Sequence, residues 1–581
     1  MAVRWVTAVT PSARHNTQGP GGVILLVLTN SAVTRSAAAR AFFLASAAIS
    51  IGILWWAYEI SYKNNGQFTD SFFYLFTVLD QSAASVLVLI LLGAAFMARP
   101  AWLSPVGSWI STHVRSIALV TALVLSAGAV FVYHNHPLSM DEYAAWFQSR
   151  VFAAGHLSGQ FPVPLLDSLV PPGFQNFFLH VSQKTGAVAS QYWPSFALLL
   201  TPFTWLGIPW ACNPIISALT LLVIHRLALK LFADSEAAGL AVLFTLASPV
   251  FFANGISYYS MPAHLLANGL YALLLLQPTP GRAFLAGIVG SIALTLHNPV
   301  PHFLFAVPWF FWMARQTQAG RLLLCLCAGY LPLSLLLGVG WFEFLHSMNA
   351  ADGVSGPGAH PASAQTFIDR VADVLGSVFS LPTLAVLYTR CIELTKIWMW
   401  AVPGLMILAV AGAWKLRHDP RCRLFVASAI VTLLGYLMVP FDQGHGWGSR
   451  YFHSAWMVLP LLAAGVLTRA TEEMRTFVIA CALLSLIAAN GQRAWQIDRL
   501  LANQLENVPR YDHDERQILF ISMSGFYARD LVQNDPWLRG NRILLLSRGS
   551  AEDQRLVDAQ FPQARKVVNG PHGSVWVWPS Q

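Results

Sequence analysis

Long runs of apolar residues, separated by short basic stretches, constrain this 581-residue chain more than any other feature. Residues 40–60, 82–97 and 321–341 are three examples, and each is close to the roughly 20 residues that a helix needs to cross a bilayer. Because lipid offers the backbone no hydrogen-bond partner, such runs are expected to fold as helices. The pattern therefore predicts an all-α polytopic membrane protein.

The composition excludes an ordinary soluble protein. The chain is 55% hydrophobic and 11% charged, which leaves too little polar surface to cover a core of this size. The net charge of +8 would suit nucleic acid, but in a membrane protein a basic excess marks cytoplasmic loops. We therefore expect membrane lipids, and no nucleic acid, as partners. The six cysteines lack disulfide or metal-ligand spacing.

The basic residues predict a topology in which they lie on the cytoplasmic side. Residues 1–40 show no signal-peptide cleavage pattern and are expected to form a cytoplasmic tail. Residues 193–208 are short and contain two prolines, so we expect a re-entrant segment there. About 13 transmembrane helices then keep every basic cluster inside, at 41–60, 74–98, 116–134, 212–232, 237–253, 260–277, 282–297, 302–315, 321–341, 394–414, 423–440, 452–468 and 475–490.

This topology divides the rest of the chain into three parts. Residues 41–115 form two additional transmembrane helices, and residues 116–490 form a core with outer loops at 135–192 and 342–393. Residues 491–581 are predicted to form a small α/β domain outside the membrane, packed as a lid over the outer mouth. Its expected strands are 517–523, 542–547 and 574–578, with a helix at 551–560.

Two adjacent carboxylates, Asp141 and Glu142, follow the third predicted span. They lead an amphipathic stretch, residues 143–154, at the membrane surface. Acidic residues at a helix N-terminus also complement the helix dipole, so a purely structural role stays open for the pair.

The sequence from Asp141 to His156 resembles the first outer loop of GT-C fold transferases that use polyprenyl-phosphate sugars. It is most similar to the bacterial aminoarabinose transferase and the protein O-mannosyltransferase family, in which an acidic pair leads a surface helix with an arginine near its end. The likeness covers roughly residues 116–470, although Ala144 stands near the place of a second arginine. Residues 526–531 look like a tail segment of bacterial members, which favours the bacterial inner membrane with a periplasmic active site and C-terminus.

The resemblance implies an inverting membrane glycosyltransferase. Asp141 would be the general base that takes the acceptor's hydroxyl proton, and Glu142 would orient either the acceptor or Asp141. Arg150 and Tyr192 match the family pattern and are predicted to contact the donor. The implied partners are a polyprenyl-phosphate-linked sugar and a lipid, glycan or protein acceptor.

A polar, glycine-rich turn at residues 443–453 is the best candidate for holding the departing phosphate. Arg450 can fork onto phosphate oxygens, although an interfacial arginine in a tight loop would give the same pattern. His445, Tyr451 and His453 complete the predicted donor-binding residues.

No cofactor is predicted with certainty, and a divalent metal ion is conceivable only through histidines. His297 and His302 flank one predicted outer turn, and His134 and His136 precede the acidic pair. Without metal-ligand spacing, hydrogen bonding at the interface is the favoured interpretation. Asp80 lies inside the second span, where exposure to lipid costs about 2.5–3.5 kcal/mol, so we expect it to face protein or water.

Two other functions stay open. A lipid-linked glycan ligase or polymerase would use a cationic residue in a late outer loop, where Arg370 and Arg390 occur. A transporter or flippase would show paired broken helices and internal repeats. We find no clear repeat, and the acids concentrate in an outer loop, which favours the glycosyltransferase.

Overall fold

The computed structural model describes residues 36–68, 70–98, 100–352, 379–523 and 527–578. Most of the predicted tail at 1–40 lies outside these residues, as does Arg370. The described residues form a helical bundle with a small sheet domain near the C-terminus, which confirms the predicted fold class.

Six helices in the described part of the chain are long and apolar enough to cross a membrane. A seventh crossing results if the pair Ser235–Leu246 and Pro249–Gly255, bent by 63°, forms one span. The chain is therefore a multi-pass membrane protein. The six helices are Ala37–Lys63, Ser71–Met97, Val114–Phe131, Pro209–Phe232, Ala319–Met348 and Glu472–Leu505.

Shorter helices account for the other predicted spans and for the surface segments. The apolar ones are Ser195–Trp205, Met261–Leu275, Pro280–Leu294, Val300–Met313, Leu405–Lys415 and Val458–Leu467. The remaining α-helices are Pro100–Leu103, Val106–Thr112, Met140–Ala153, Leu166–Leu169, Leu384–Met399, Pro420–Tyr436, Arg450–His453 and Ser550–Gln560.

Two predicted spans are broken. The prediction of one helix at 394–414 is wrong, because Gly404 adopts a φ of +75° and separates Leu384–Met399 from Leu405–Lys415. The predicted span at 237–253 bends where Pro249 opens a second helix, since proline fits the first helical position but cannot continue the preceding one.

The predicted last span, 475–490, belongs to the longer helix Glu472–Leu505. This helix therefore runs past the predicted domain boundary at residue 491. The predicted re-entrant segment contains the helix Ser195–Trp205, whose 11 residues have Pro202 among them. At 1.5 Å per residue it is about 16 Å long, which is too short for a hydrocarbon core of about 30 Å.

The sheet domain has four strands where three were predicted. Parallel pairing joins Arg542–Leu546 to Arg516–Ile521, and Gly573–Trp578 pairs antiparallel with the latter. The missed strand, Arg565–Gly570, forms the outer edge beyond Gly573–Trp578. A second, three-stranded sheet in the loop 135–192 was also missed, and its strands are Gly159–Gln160, Leu179–Val181 and Ala187–Ser190.

Three basic residues lie together at the end of the bundle opposite to Glu142. Cys212, at the start of one spanning helix, packs in a cluster with Tyr258, whose backbone N–H donates to Glu142. Lys230 lies near the other end of that helix. Arg421 donates a hydrogen bond to the Lys230 carbonyl at 2.8 Å, and Arg282 and Lys230 both contact Gln277.

A buried ionic cluster joins the two additional N-terminal helices to the core. Asp80 accepts hydrogen bonds from Lys396 at 2.9 Å and from the Trp400 indole at 2.7 Å, and Arg493 lies 2.9 Å from it. The side chains of all three ionic residues are 1% exposed. Arg493 also donates to Gln496 at 3.1 Å. The expectation that Asp80 faces protein is therefore confirmed.

Asp80→Asn is expected to destabilise the fold by about 3–5 kcal/mol, because it leaves two buried cations without a counter-charge. The measurement is thermal unfolding of the purified protein in detergent. Glu59→Gln, which breaks the exposed pair with Lys63, is the matched control and is expected to change little. Equal melting of the two variants would contradict a role for the cluster in stability.

Candidate active site

The helix Met140–Ala153, here called the motif helix, is positioned by Glu142. The Glu142 carboxylate accepts hydrogen bonds from the backbone N–H groups of Leu138 at 2.9 Å and Ser139 at 3.3 Å. It therefore satisfies donors just before the helix that have no partner within it.

Two further donors complete the surroundings of Glu142. The Tyr133 hydroxyl and the Tyr258 backbone N–H each donate at 2.9 Å, and the side chain is fully buried. Burial raises the pKa of Glu142 to about 7, although the four hydrogen bonds oppose that rise. A large cavity lies beside the start of the motif helix, and Glu142 is not among the residues that line it. The position of Glu142 therefore favours a role in orienting the motif helix over contact with an acceptor.

Asp141 faces the opposite way, into the cavity. The Tyr192 hydroxyl donates to Oδ1, and Arg450 Nη1 donates to Oδ2 at 2.8 Å. Burial alone would raise the pKa of Asp141, but the charge and hydrogen bond of Arg450, helped by His297 and Tyr192, lower it below its ordinary value. Asp141 is therefore a carboxylate at neutral pH.

The glycine-rich turn holds Arg450 in place. Its Nη1 also donates to the backbone carbonyls of Gln443 at 3.1 Å and His445 at 2.7 Å. The Gln443 side chain in turn accepts from the Arg450 backbone N–H at 2.9 Å. The turn thus places Arg450 in contact with Asp141, although the two residues are 309 positions apart in the sequence.

The cavity beside this ion pair has a volume of about 1290 Å³. Charged groups gather on one part of its wall, and aromatic and aliphatic side chains form most of the rest. The charged lining residues are Asp141, Asp442, Arg450, Arg529 and Asp530. The apolar ones include Phe174, Phe177, Phe178, Trp193, Val300, Phe303, Phe342, Phe379, Val439 and Phe441.

His445 and Tyr451 also line the cavity, as predicted for donor-binding residues. His445 Nδ1 lies 2.5 Å from the Tyr527 hydroxyl, and burial lowers its pKa to about 3, so the ring is neutral. Tyr451 stacks on Tyr436 at 4.2 Å and donates to the Asp442 carbonyl at 2.8 Å.

Arg150 and His453 do not join this wall, contrary to the sequence-based assignment. Arg150 lies three turns along the motif helix, with its guanidinium 3.7 Å above the Trp146 ring and 3.9 Å from Asp535. His453 follows the glycine-rich turn but is 1% exposed and packs behind the cavity lining. The motif helix turns the Arg150 side chain toward Trp146 and Asp535.

Arg370 and Arg390 were the two arginines considered for a ligase, and only Arg390 lies among the described residues. Its contacts hold the protein backbone in place. It donates to the carbonyls of Tyr436, Val439 and Phe441 and pairs with Glu393 at 2.7 Å. These contacts fix the segment that leads into the glycine-rich turn. Arg390 does not line the cavity.

The C-terminal domain supplies cavity residues that sequence reasoning did not assign to the site. Tyr527, Arg529 and Asp530 line the cavity, and Asp530 accepts from the Met140 backbone N–H at 2.8 Å. Burial raises the pKa of Asp530 to about 7. The resemblance at residues 526–531 was the available signal, since it marked a polar stretch between two strands.

The same domain also fixes the motif helix from the side. The Tyr143 hydroxyl donates to the Asn534 carbonyl at 2.6 Å and accepts from the Asn534 N–H at 2.8 Å. Gln533 donates to the Pro137 carbonyl at 2.7 Å, just before the helix. The domain therefore contacts the motif helix and contributes to the wall of the cavity.

The two additional helices reach the cavity through the turn that joins them. Phe68 and Ser71 line it, and Asp70 lies beside Asp442 of the glycine-rich turn. Burial, together with the charge of Asp70, raises the pKa of Asp442 to about 6. These helices are therefore part of the site's surroundings.

Two of the four histidines considered for metal binding have hydrogen-bond partners. His302 bonds to Asn268 at 2.6 Å and Tyr330 at 2.7 Å, and His134 bonds to Asp498 at 2.8 Å. Among the described ranges, no group of three or more His, Cys, Asp or Glu residues is arranged to hold a metal ion.

Asp530→Asn is expected to flatten the pH dependence of stability near neutrality. Because the folded pKa of about 7 lies above the ordinary 3.8, Asp530 stabilises the fold fully at low pH and loses that contribution as pH rises through 7. Thermal midpoints in detergent from about pH 5 to pH 8 test this. The exposed Asp167→Asn is the control, and parallel wild-type and Asp530→Asn curves would contradict the assignment.

No protein-family model matches the chain, and no curated protein matches it. Among solved structures it is similar to ArnT from Cupriavidus metallidurans bound to undecaprenyl phosphate, with 12% identity over 80% of this chain and 99% of that one and a TM-score of 0.49. The apo state of that protein gives a TM-score of 0.45. An oligosaccharyltransferase from Archaeoglobus fulgidus, in complex with zinc and sulfate, is 12% identical over 74% of this chain and 62% of its own, with a TM-score of 0.37.

Proposed function

We propose that the chain is an inverting membrane glycosyltransferase, which moves a sugar from a polyprenyl-phosphate donor to a lipid, glycan or protein acceptor. The observation that carries the proposal is the ionised Asp141 beside Arg450 in the wall of a large, mainly apolar cavity. In this proposal the protein lies in a bacterial inner membrane, with the cavity and the C-terminal domain on the periplasmic side.

Asp141 supplies the base that such a transfer needs. As the acceptor hydroxyl attacks the anomeric carbon, its proton passes to the carboxylate, and the bond between that carbon and the phosphate oxygen breaks. The partner carboxylate, Glu142, is sealed behind the cavity wall by four hydrogen bonds. The acidic pair thus presents one carboxylate, Asp141, to the cavity, which supports direct displacement with inversion of the anomeric centre.

Arg450 is suited to hold the departing phosphate. Only its Nη1 is engaged, with Asp141 and two carbonyls, whereas Nε and Nη2 have no hydrogen-bond partner in the described part of the chain. A guanidinium can present those two nitrogens to a phosphate as a fork. The same side chain thus depresses the pKa of the base and faces the leaving group.

The apolar part of the cavity suits an isoprenoid chain. Phe303, Phe342 and Phe441 lie on helices or turns of the membrane bundle, so their surface continues toward the lipid-facing region. Burying the hydrocarbon there removes apolar surface from water. The ligase alternative is not supported by Arg390, because this side chain is tied to backbone carbonyls.

Asp141→Asn is expected to lower transfer by a factor of about 100 to 10,000, the usual contribution of a general base. Asp167→Asn, an exposed carboxylate change in the same loop, is expected to leave transfer intact. Mass spectrometry of surface lipids and glycans from cells with each variant identifies the product and measures its loss. Full product formation by a folded Asp141→Asn protein would rule out the proposed base.

Arg450→Ala is expected to weaken binding of undecaprenyl phosphate about 10- to 100-fold, since hydrogen bonds to charged groups contribute about 1.5–3 kcal/mol. Titration of the purified protein in nanodiscs measures the affinity. Arg421→Ala, at the opposite end of the bundle, is the control. An unchanged affinity in Arg450→Ala would remove this residue from the phosphate site.

A further inference from the structure

Uncharged polar side chains line the cavity together with its charged and apolar residues. They include Ser260, His264, His297, Asn298 and Ser454. Ser260 and His297 also line a small pocket beside Asp141.

His264 is the residue that most needs a ligand. It is 2% exposed, and within the described part of the chain neither of its ring nitrogens has a hydrogen-bond partner. His302, one helix away, has both ring nitrogens bonded, to Asn268 and Tyr330. Since buried polar groups are nearly always paired, two unpaired nitrogens on a cavity wall indicate a group that binds there.

The chemistry of a neutral imidazole selects among the candidate ligands. One nitrogen donates and the other accepts, which matches hydroxyl groups that also do both. A phosphate only accepts and would leave one nitrogen without a partner, and an isoprenoid chain would satisfy neither. A sugar hydroxyl network therefore fits His264 best.

The location agrees with that choice. His297 lines the cavity together with His264, and it also borders a small pocket beside Asp141. The rings of Tyr192 and His297 are 3.8 Å apart, and Tyr192 donates to the Asp141 carboxylate. A sugar held at His264 would therefore lie next to the base.

We infer that His264 binds a hydroxyl of the donor sugar. The inference rests on the proposed function. It follows because a sugar hydroxyl can donate to one ring nitrogen of the buried imidazole and accept from the other.

The test measures binding to the full chain in nanodiscs. The probes are undecaprenyl phosphate itself and its glycosides carrying a hexose, a pentose, an amino sugar or a uronic acid. Wild-type protein is expected to bind at least one glycoside about 3- to 10-fold more tightly than the bare carrier, as one added hydrogen bond implies. His264→Leu is expected to abolish that gain and leave carrier binding unchanged.

Two further variants complete the design. His264→Gln keeps a donor and an acceptor and is expected to restore part of the gain, which keeps the test decisive if the leucine variant folds poorly. His418→Leu changes an exposed histidine at the basic end and is expected to behave as wild type.

Each contrary outcome has a distinct meaning. Equal loss of carrier and glycoside binding in a folded His264→Leu protein would place phosphate at His264 and overturn the inference. Equal binding of the bare carrier and of every glycoside by the wild-type protein would also overturn it. Failure of wild-type protein to bind the bare carrier would instead refute the proposed function itself.

Discussion

The carboxylate of Asp80 joins parts of the chain that are 316 residues apart, and much of the architecture follows from its burial. A lone acid inside a bilayer is costly, so it has to meet cations supplied by other helices. Lys396 and Arg493 provide them, and Trp400 adds an indole donor. The additional N-terminal helices are thereby locked to the core, and the turn between them is held at the cavity.

A second long-range contact, between Asp141 and Arg450, depends on that framework. The motif helix is fixed at its N-terminus by Glu142 and Asp530, and the glycine-rich turn is fixed by Arg390 and Gln443. Each anchor sets the position of one partner of the ion pair. The two adjacent acids therefore have different roles. Glu142 accepts hydrogen bonds from backbone N–H groups, whereas Asp141 faces the cavity.

Sequence reasoning predicted the parts of the site that depend on local pattern. Apolar runs predicted most helices, and the polar turn predicted Arg450, because both signals lie within one segment. Helix breaks at Gly404 and Pro249 were missed because the apolar runs continue through them. No local pattern encodes packing between distant elements. That packing sets the direction of the Arg150 side chain and brings Asp530 into contact with Met140.

The contribution of Tyr527, Arg529 and Asp530 to the wall has a consequence for biosynthesis. These residues follow the last long helix in the described part of the chain, so they are synthesised after all of the long helices described there. Until the sheet around Arg516–Ile521 has formed and docked, one side of the cavity is missing and the motif helix lacks its final cap. A partly synthesised chain therefore has an incomplete cavity wall even when those long helices have all been made.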